Sequence, residues 1–382
     1  MGNFFGLSKL SGKVISLNAS QTLDSAAARK GEALSTASMR FSRFLAAMIG
    51  LSAALLAAVV FASSVGPVHV PFERTVSIML TKLHINTGTP FSERELLVVS
   101  QVRWPRVLTG AMVGAALGIS GAAMQGVFRN PLVEPGYAGV SSGAATGAVC
   151  ALFFGWSQIG RWALPLSAFI GAVVAVLAIM VVWRASRSKS IATLLLLGIG
   201  VNALLSALIN MMVASSSNDQ ELRSIIFWLQ GGLEARTWDH VRLIAIPIAA
   251  GCLLTVAFGR RLNMMLLGDD QAASSGVNVR RTRYILLALA SLMTGSAVAV
   301  SGIIGFVGLV VPHIIRLITG PDHRFLLPAS ALGGAIFLVL ADVVSRTVLQ
   351  PVTLQAGVVC ACIGAPLFIA LILRSRQGGA GP

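Results

Sequence analysis

The sequence predicts an all-α polytopic membrane protein, and three observations carry that prediction: composition, the length of the apolar runs and the placement of the basic residues. Of 382 residues, 55% are hydrophobic and only 11% are charged. A hydrocarbon core of roughly 30 Å takes about 20 residues of helix to cross, and ten runs long enough or nearly so follow one another from Phe44 onward. None shows the two-residue alternation of a barrel strand. Inside lipid each unpaired backbone amide costs several kcal/mol, so helices are the remaining solution.

Residues 1–43 come first, rich in Ser and Ala with scattered Lys and Arg. No small-residue cleavage site follows the first apolar run, so they read as a flexible tail rather than a leader. The transmembrane body is expected over 44–376. Its first half holds runs from Phe44 to Val65, Val107 to Val127, Ala138 to Phe154, Leu164 to Trp183 and Ile191 to Val213. The second half holds Val241 to Phe258, Tyr284 to Val300, Ile303 to Ile318, Phe325 to Val344 and Ala356 to Leu373, with 377–382 as a short tail. Two of these are one long run unless it breaks near Ser301. Gly302, Gly305 and Gly308 with Pro312 predict that break. Between the fifth and sixth runs, Ala214 to His240 carries Ile225, Ile226, Phe227, Trp228 and Leu229, a stretch too short to span and expected as an interfacial or re-entrant helix.

Orientation follows from the loops. With the N-terminus inside, 19 of the 29 Lys and Arg fall on the cytoplasmic side, and both termini are expected to be cytoplasmic. The formal charge of +15 is spread over short loops rather than gathered in a stripe, which argues for positive-inside topology and against nucleic acid as a partner. Membrane lipid is the expected surrounding.

Chemistry-bearing motifs are sparse. Cys150, Cys252, Cys360 and Cys362 sit in apolar runs, the last two on different helical faces, and the five His are scattered, so no metal site is expected. Gly198, Gly200 and Ala203 match a dinucleotide fingerprint only in letters, since no strand precedes them. Gly12 and Lys13 lack both the Ser or Thr and the upstream Gly of a phosphate loop, so the chain carries no ATP site of its own. No run has an ionisable residue near its centre, which disfavours a proton relay. Gln125, Asn202 and Asn210 are expected to hydrogen-bond between helices, Gly114 with Gly118 and Gly143 with Gly147 to let backbones approach closely. Asp342 and Arg346 are spaced to pair.

Two long blocks remain: RWPRVLTGAMVGAALGISGAAMQGVFRNPLVEPGYAGVSSGAATGA from Arg103, and SGIIGFVGLVVPHIIRLITGPDHRFLLPASALGGAIFLVLADVVSR from Ser301. These, with GAPLFIALIL near the end, closely resemble the FecCD-type permeases, membrane subunits of bacterial ABC importers for ferric siderophores, haem and cobalamin. The resemblance covers Phe44 to Arg374. It implies ten spans in the bacterial inner membrane and a homodimer around a central pathway. It also implies a cytoplasmic ATPase dimer that binds the ATP and Mg, and a periplasmic or lipid-anchored substrate-binding protein.

The resemblance also distributes roles. The loop Gly259 to Arg283 becomes the ATPase coupling loop, with Leu267, Gly268, Asp269, Asp270, Ala273 and Gly276 as its key positions. Acidic residues where a helix would start and Gly where it would stop fit a short docking helix. Arg103, Arg106 and Arg346 match the family's positions for docking the binding protein, where a guanidinium fork suits carboxylates. The fifth run becomes pathway-lining, with Asn210, Met211 and Met212 as candidates. Ser190, Ile191, Ala192 and Thr193 map onto the gate, more apolar here than the polar gate of cobalamin permeases. An iron chelate, haem or ferric siderophore, is the leading cargo. Cobalamin is the alternative within the family; a secondary transporter and a membrane enzyme are the readings outside it, and both lack the buried charges they need.

Overall fold

The computed structural model describes residues 42–82, 84–85, 89–187, 190–216, 218–350 and 352–377. The tail expected over 1–43 therefore lies almost wholly outside the described residues, and so do 378–382 of the C-terminal tail. The chain divides into two units, Met1–Gly50 and Leu51–Pro382. In the first, the described residues 42–50 are helical. The second holds everything that follows.

All regular structure among the described residues is helical. Helix α1 runs Ser42–Ser64, α2 Phe72–Lys82 and α3 Glu93–Leu97, which continues through a π-helical stretch, Val98–Arg103, into α4, Trp104–Phe128. Then come α5 (Val140–Phe153), α6 (Ala163–Ala185), α7 (Ile191–Ser215), α8 (Asp219–Leu229), α9 (Trp238–Ala257), α10 (Gly259–Leu266), α11 (Asp269–Ser274), α12 (Val279–Ser301), α13 (Val307–Thr319), α14 (His323–Ser345) and α15 (Ala356–Gln377). Seven helices are long and apolar enough to cross a membrane, and three shorter apolar ones lie at Val140–Phe153, Val307–Thr319 and Ala356–Ala370. These ten agree with the ten expected runs to within a few residues, except that the second starts at Glu93 rather than near Val107.

Helix α4 is buried along most of its length and packs against α14, α12, α13 and α9. Small residues make this possible. A Cβ on Gly114 would overlap the Gly334 carbonyl, and one on Gly118 the Ser330 carbonyl, so α4 and α14 touch backbone to backbone. Helices α5 and α6 meet in the same way through Gly143, Gly147 and Gly171. By contrast α7 leaves Leu196, Ile199, Leu204 and Met211 exposed.

The predicted break occurs, but not with all the predicted residues. Gly302 (φ 68°) and Phe306 (φ 68°) take the left-handed turn between α12 and α13, whereas Gly308 and Pro312 lie inside α13. Pro312 has no N–H for the Gly308 carbonyl, so a kink would be expected there. Gln125 of α4 supplies the donor instead: its Nε2 lies 3.3 Å from the Gly308 oxygen and 3.2 Å from that of Leu309, while Arg316 donates to its Oε1 at 3.0 Å. The break is held from outside as well. Glu134 Oε2 accepts the Phe306 N–H at 3.3 Å, and Ser301 O accepts the Gly232 N–H at 2.7 Å.

Two further elements differ from expectation, and a third is the short helix expected after the fifth run. Arg103 and Arg106, read as lying outside a span, sit within the continuous helical stretch from Glu93. The apolar lead of the Gly259 to Arg283 loop is helical as α10, because Leu262 and Met265 bury on one face while Arg260 and Arg261 stay exposed on the other. The short apolar segment after the fifth run forms α8, capped by the Asn218 side chain accepting from the Gln220 N–H at 2.9 Å.

Candidate functional site

Functional candidates gather at the two ends of the bundle. At the end bearing α8, the last turn of α1 leaves carbonyls without intrahelical donors. Arg103 donates to the carbonyls of Ser63 (2.8 Å), Ser64 (2.7 Å) and Val68, and Arg346 to those of Ala62 (2.7 Å) and Val65 (2.8 Å). Both guanidiniums are buried, at 4% and 3% exposure. Cations at a helix C-terminus also offset its dipole. Arg106 makes a two-pronged contact with Asp342, Nε to Oδ1 at 3.0 Å and Nη2 to Oδ1 at 2.8 Å, and Arg346 Nε approaches the other oxygen at 3.4 Å. Of the three arginines singled out from the sequence, Arg106 and Arg346 thus meet on one buried carboxylate, while Arg103 joins Arg346 at the carbonyls that end α1. Burial pulls the Arg346 guanidinium down to about 10; Asp342 works against this, and Arg106 and Arg103 add to it.

Beside this cluster lies a cavity of about 630 Å³ between α8, the segment after it, the end of α12 and the start of α15. Arg223, Glu234, Arg236 and Gln355 line it. Burial, reinforced by Arg106, pulls Arg236 down to about 10 against the opposing pull of Glu234. Sequence reasoning missed Arg236, Glu234 and Gln355. Nothing in the sequence marks them, because they meet across two segments distant in the chain.

At the other end, α11 begins at Asp269 and stops at Gly276 (φ 83°), as the sequence anticipates. Asp269 is half exposed, yet two arginines from different helices hold it: Arg129, just past α4, and Arg283 of α12, whose Nη2 lies 3.2 and 3.1 Å from the two carboxylate oxygens. Arg129 itself sits in the left-handed region (φ 48°). Ala272 buries against the bundle, while Leu267, Asp270 and Ala273 face outward. Gly268 takes φ 124°, open only to glycine. Nearby, Asp322 accepts from Asn263 Nδ2 at 2.6 Å, tying α10 to the start of α14. Burial alone would raise the Asp322 carboxyl, but hydrogen bonds from Arg324 and Asn263 hold it down at about 2.

Along α7, Ser190 and Thr193 form a helix cap: Ser190 Oγ accepts the Thr193 N–H at 3.1 Å. Ala192 is exposed beside them, and Ile191 opens the helix. Asn210 and Met211 are exposed at the far end, and Met212 packs 4.0 Å from Cys150. Asn202 does hydrogen-bond between elements, donating to the Gly136 carbonyl at 3.2 Å and accepting from Ser142. It lines a second cavity, about 270 Å³, between α7 and the broken segment, into which Glu134 faces. Glu134 is the carboxylate the sequence reading quoted within FRNPLVEPG without giving it a role. Among the described residues no group of His, Cys, Asp or Glu is placed to hold a metal ion.

Comparison with known proteins defines the class. The FecCD transport family model matches residues 54–374, so the chain belongs to that family. It is 40% identical over 347 residues to YvrB, an ABC transporter permease protein of Bacillus subtilis (strain 168), covering 89% of this chain and 97% of that one. It is 43% identical over 288 residues to the hemin transport system permease of Yersinia pestis, covering 73% of this chain and 84% of that one. The cobalamin import system permease of Halobacterium salinarum is also 43% identical, over 291 residues, covering 76% of each. A solved chain described as a metal-chelate-type ABC transporter in an inward-facing conformation superposes with TM-score 0.75 at 30% identity, covering 86% of this chain and 98% of that one. The chain is accordingly an ABC transporter permease, not an ATPase.

Proposed function

We propose that this chain is the membrane subunit of a bacterial inner-membrane importer that passes an iron chelate, haem or a ferric siderophore, from an external binding protein to the cytoplasm. ATP with Mg is bound and hydrolysed in a separate ATPase dimer. The observation that carries the coupling half of this reading is Asp269: a short outward-facing helix, α11, is pinned at its first residue to α4 and α12 by two arginines, so a push on α11 reaches two core helices. The basic loops support a cytoplasmic location for this end, an external one for the α8 end and cytoplasmic termini. A second copy of the chain is expected against the exposed face of α7, which supports Ser190 to Thr193 as gate and Asn210 to Met212 as lining.

Docking of the binding protein is assigned to Arg103, Arg106 and Arg346 as a group. Arg106 is the most accessible of them, so a partner carboxylate meets it first. Replacing Arg106 by Gln should weaken binding-protein association severalfold at low salt, measured by surface binding to the reconstituted permease. Unchanged affinity would remove Arg106 from the interface. Cobalamin is kept as a second cargo because the cobalamin and hemin permeases are equally similar to this chain, at 43% identity each. The deciding experiment is uptake into proteoliposomes holding the permease, its ATPase and its binding protein, with haem, ferric siderophores and cobalamin in competition. Uptake of none of them, with an active ATPase, would overturn the cargo assignment.

A further inference from the structure

Helices α6 and α12 pack together and leave a groove of about 430 Å³ on their outer side. Two ridges at four-residue spacing wall it: Arg184, Met180 and Val176 on α6, and Arg280, Tyr284 and Ala288 on α12. The helices run in opposite directions, so each ridge starts with an arginine at the α11 end and continues with weakly polar or apolar side chains. Eight residues of helix rise about 12 Å. The groove is therefore a cationic head site with an apolar trough of that length leading away from it.

Neither Arg184 nor Arg280 is in an ion pair among the described residues, whose ion pairs lie elsewhere. Arg280 instead lies over the ring of Tyr284, 5.8 Å from its centroid, and that ring is backed by Trp183 at 5.2 Å. Trp and Tyr favour the level of lipid headgroups. Exposed Arg187 and Arg281 lie close by in sequence and add positive charge. On the trough side Leu177 and Val181 are 57% and 66% exposed, apolar surface that only lipid or another chain would cover.

We infer that this groove binds an anionic phospholipid, its phosphate between Arg184 and Arg280 and an acyl chain along the trough. Guanidinium forks match phosphate oxygens, and basic pockets between spans on the cytoplasmic side suit anionic headgroups. A small soluble anion has no use for the trough. A second copy of this chain fits poorly, since neither α6 nor α12 carries an acidic residue and two-fold pairing here would set arginine against arginine. The assignment of this end to the cytoplasmic leaflet rests on the orientation proposed above; the binding itself does not.

The test is lipid retention by the purified full-length permease, read by native mass spectrometry from detergent micelles doped with equal phosphatidylglycerol and phosphatidylcholine. The wild type should retain phosphatidylglycerol about tenfold over phosphatidylcholine. In an Arg184→Gln, Arg280→Gln double variant that preference should fall close to one, and the Lys, Lys pair should restore most of it. Ala288→Trp, which fills the trough, should reduce retention of both lipids. Equal retention by the wild type, or a preference unchanged in the Gln variant, overturns the proposal, as does efficient copy-to-copy cross-linking of a Leu177→Cys variant in native membranes. Because no transport is read, loss of the lipid site and failure of the importer reading remain separate results.

Discussion

The two ends of the bundle use the same chemistry, arginine on aspartate, for opposite mechanical ends. At the α8 end Asp342 is buried, and Arg106 and Arg346 reach it while Arg103 and Arg346 also absorb the last carbonyls of α1. At the α11 end Asp269 is half in solvent and is shared by Arg129 and Arg283. Burial turns the first arrangement into a lock, since a buried charge cannot lose its partner cheaply. Exposure leaves the second as a joint that can be strained and remade, which suits the coupling role proposed for α11.

The largest effect should come from opening the lock. Replacing Asp342 by Ala leaves two guanidiniums buried against each other, a change that costs about 3–5 kcal/mol in comparable sites. Thermal unfolding in detergent should show it as a large loss of stability, and a stability close to wild type would refute the lock. Next comes Arg103→Met, which keeps the packing but strips donors from the end of α1. The three bonds of Arg103, at about 1.5–3 kcal/mol each, are offset by the cost of burying the cation, which Met removes, so the change should destabilise clearly but less than Asp342→Ala.

Asp269→Asn should barely move stability, since an exposed pair contributes about 0.2–1 kcal/mol. Its expected signature is functional: cargo moved per ATP in proteoliposomes should fall severalfold. A parallel fall in uptake and ATPase, with their ratio intact, would mean the joint only holds the fold. The smallest effect is one that fades in acid. The Asp322 carboxyl is depressed from an ordinary 3.8 to about 2, so its stabilisation is present above pH 3.8 and is lost as pH falls through 2. Asp322→Asn should lower stability at pH 4 and above, and its deficit should close as pH falls toward 2, as followed by thermal unfolding.

Much of this contrast is invisible in the sequence, and the reason is distance along the chain. Spans, the turn at Gly302 and the limits of α11 were legible because each rests on composition or on a glycine within a few residues. The i, i+4 spacing gave Asp342 with Arg346. It could not give Arg106 with Asp342, 236 positions apart, nor Arg346 with Ala62, 284 apart. Pro312 misled for the same reason, because Gln125, the side chain that satisfies the Gly308 carbonyl, belongs to a different helix. Glu134 was readable only as part of a familiar string of letters. Its partner, the N–H of Phe306, exists only once the break has formed.

The glycine contacts carry one more implication. Helices α4 and α14, and likewise α5 and α6, meet backbone to backbone at their glycines. A slip of one residue along either seam, about 1.5 Å, would drive the next Cβ into a neighbouring carbonyl. Each pair therefore behaves as a single plank, and sliding within it is closed as a route for conformational change. Motion between the planks has to be taken up in the chain that joins them, 129–139, whose ends are the left-handed Arg129 and Gly139. That link also carries Glu134 and, through Arg129, touches Asp269, so the flexure point, the clasp on the broken helix and the joint at α11 share eleven consecutive residues.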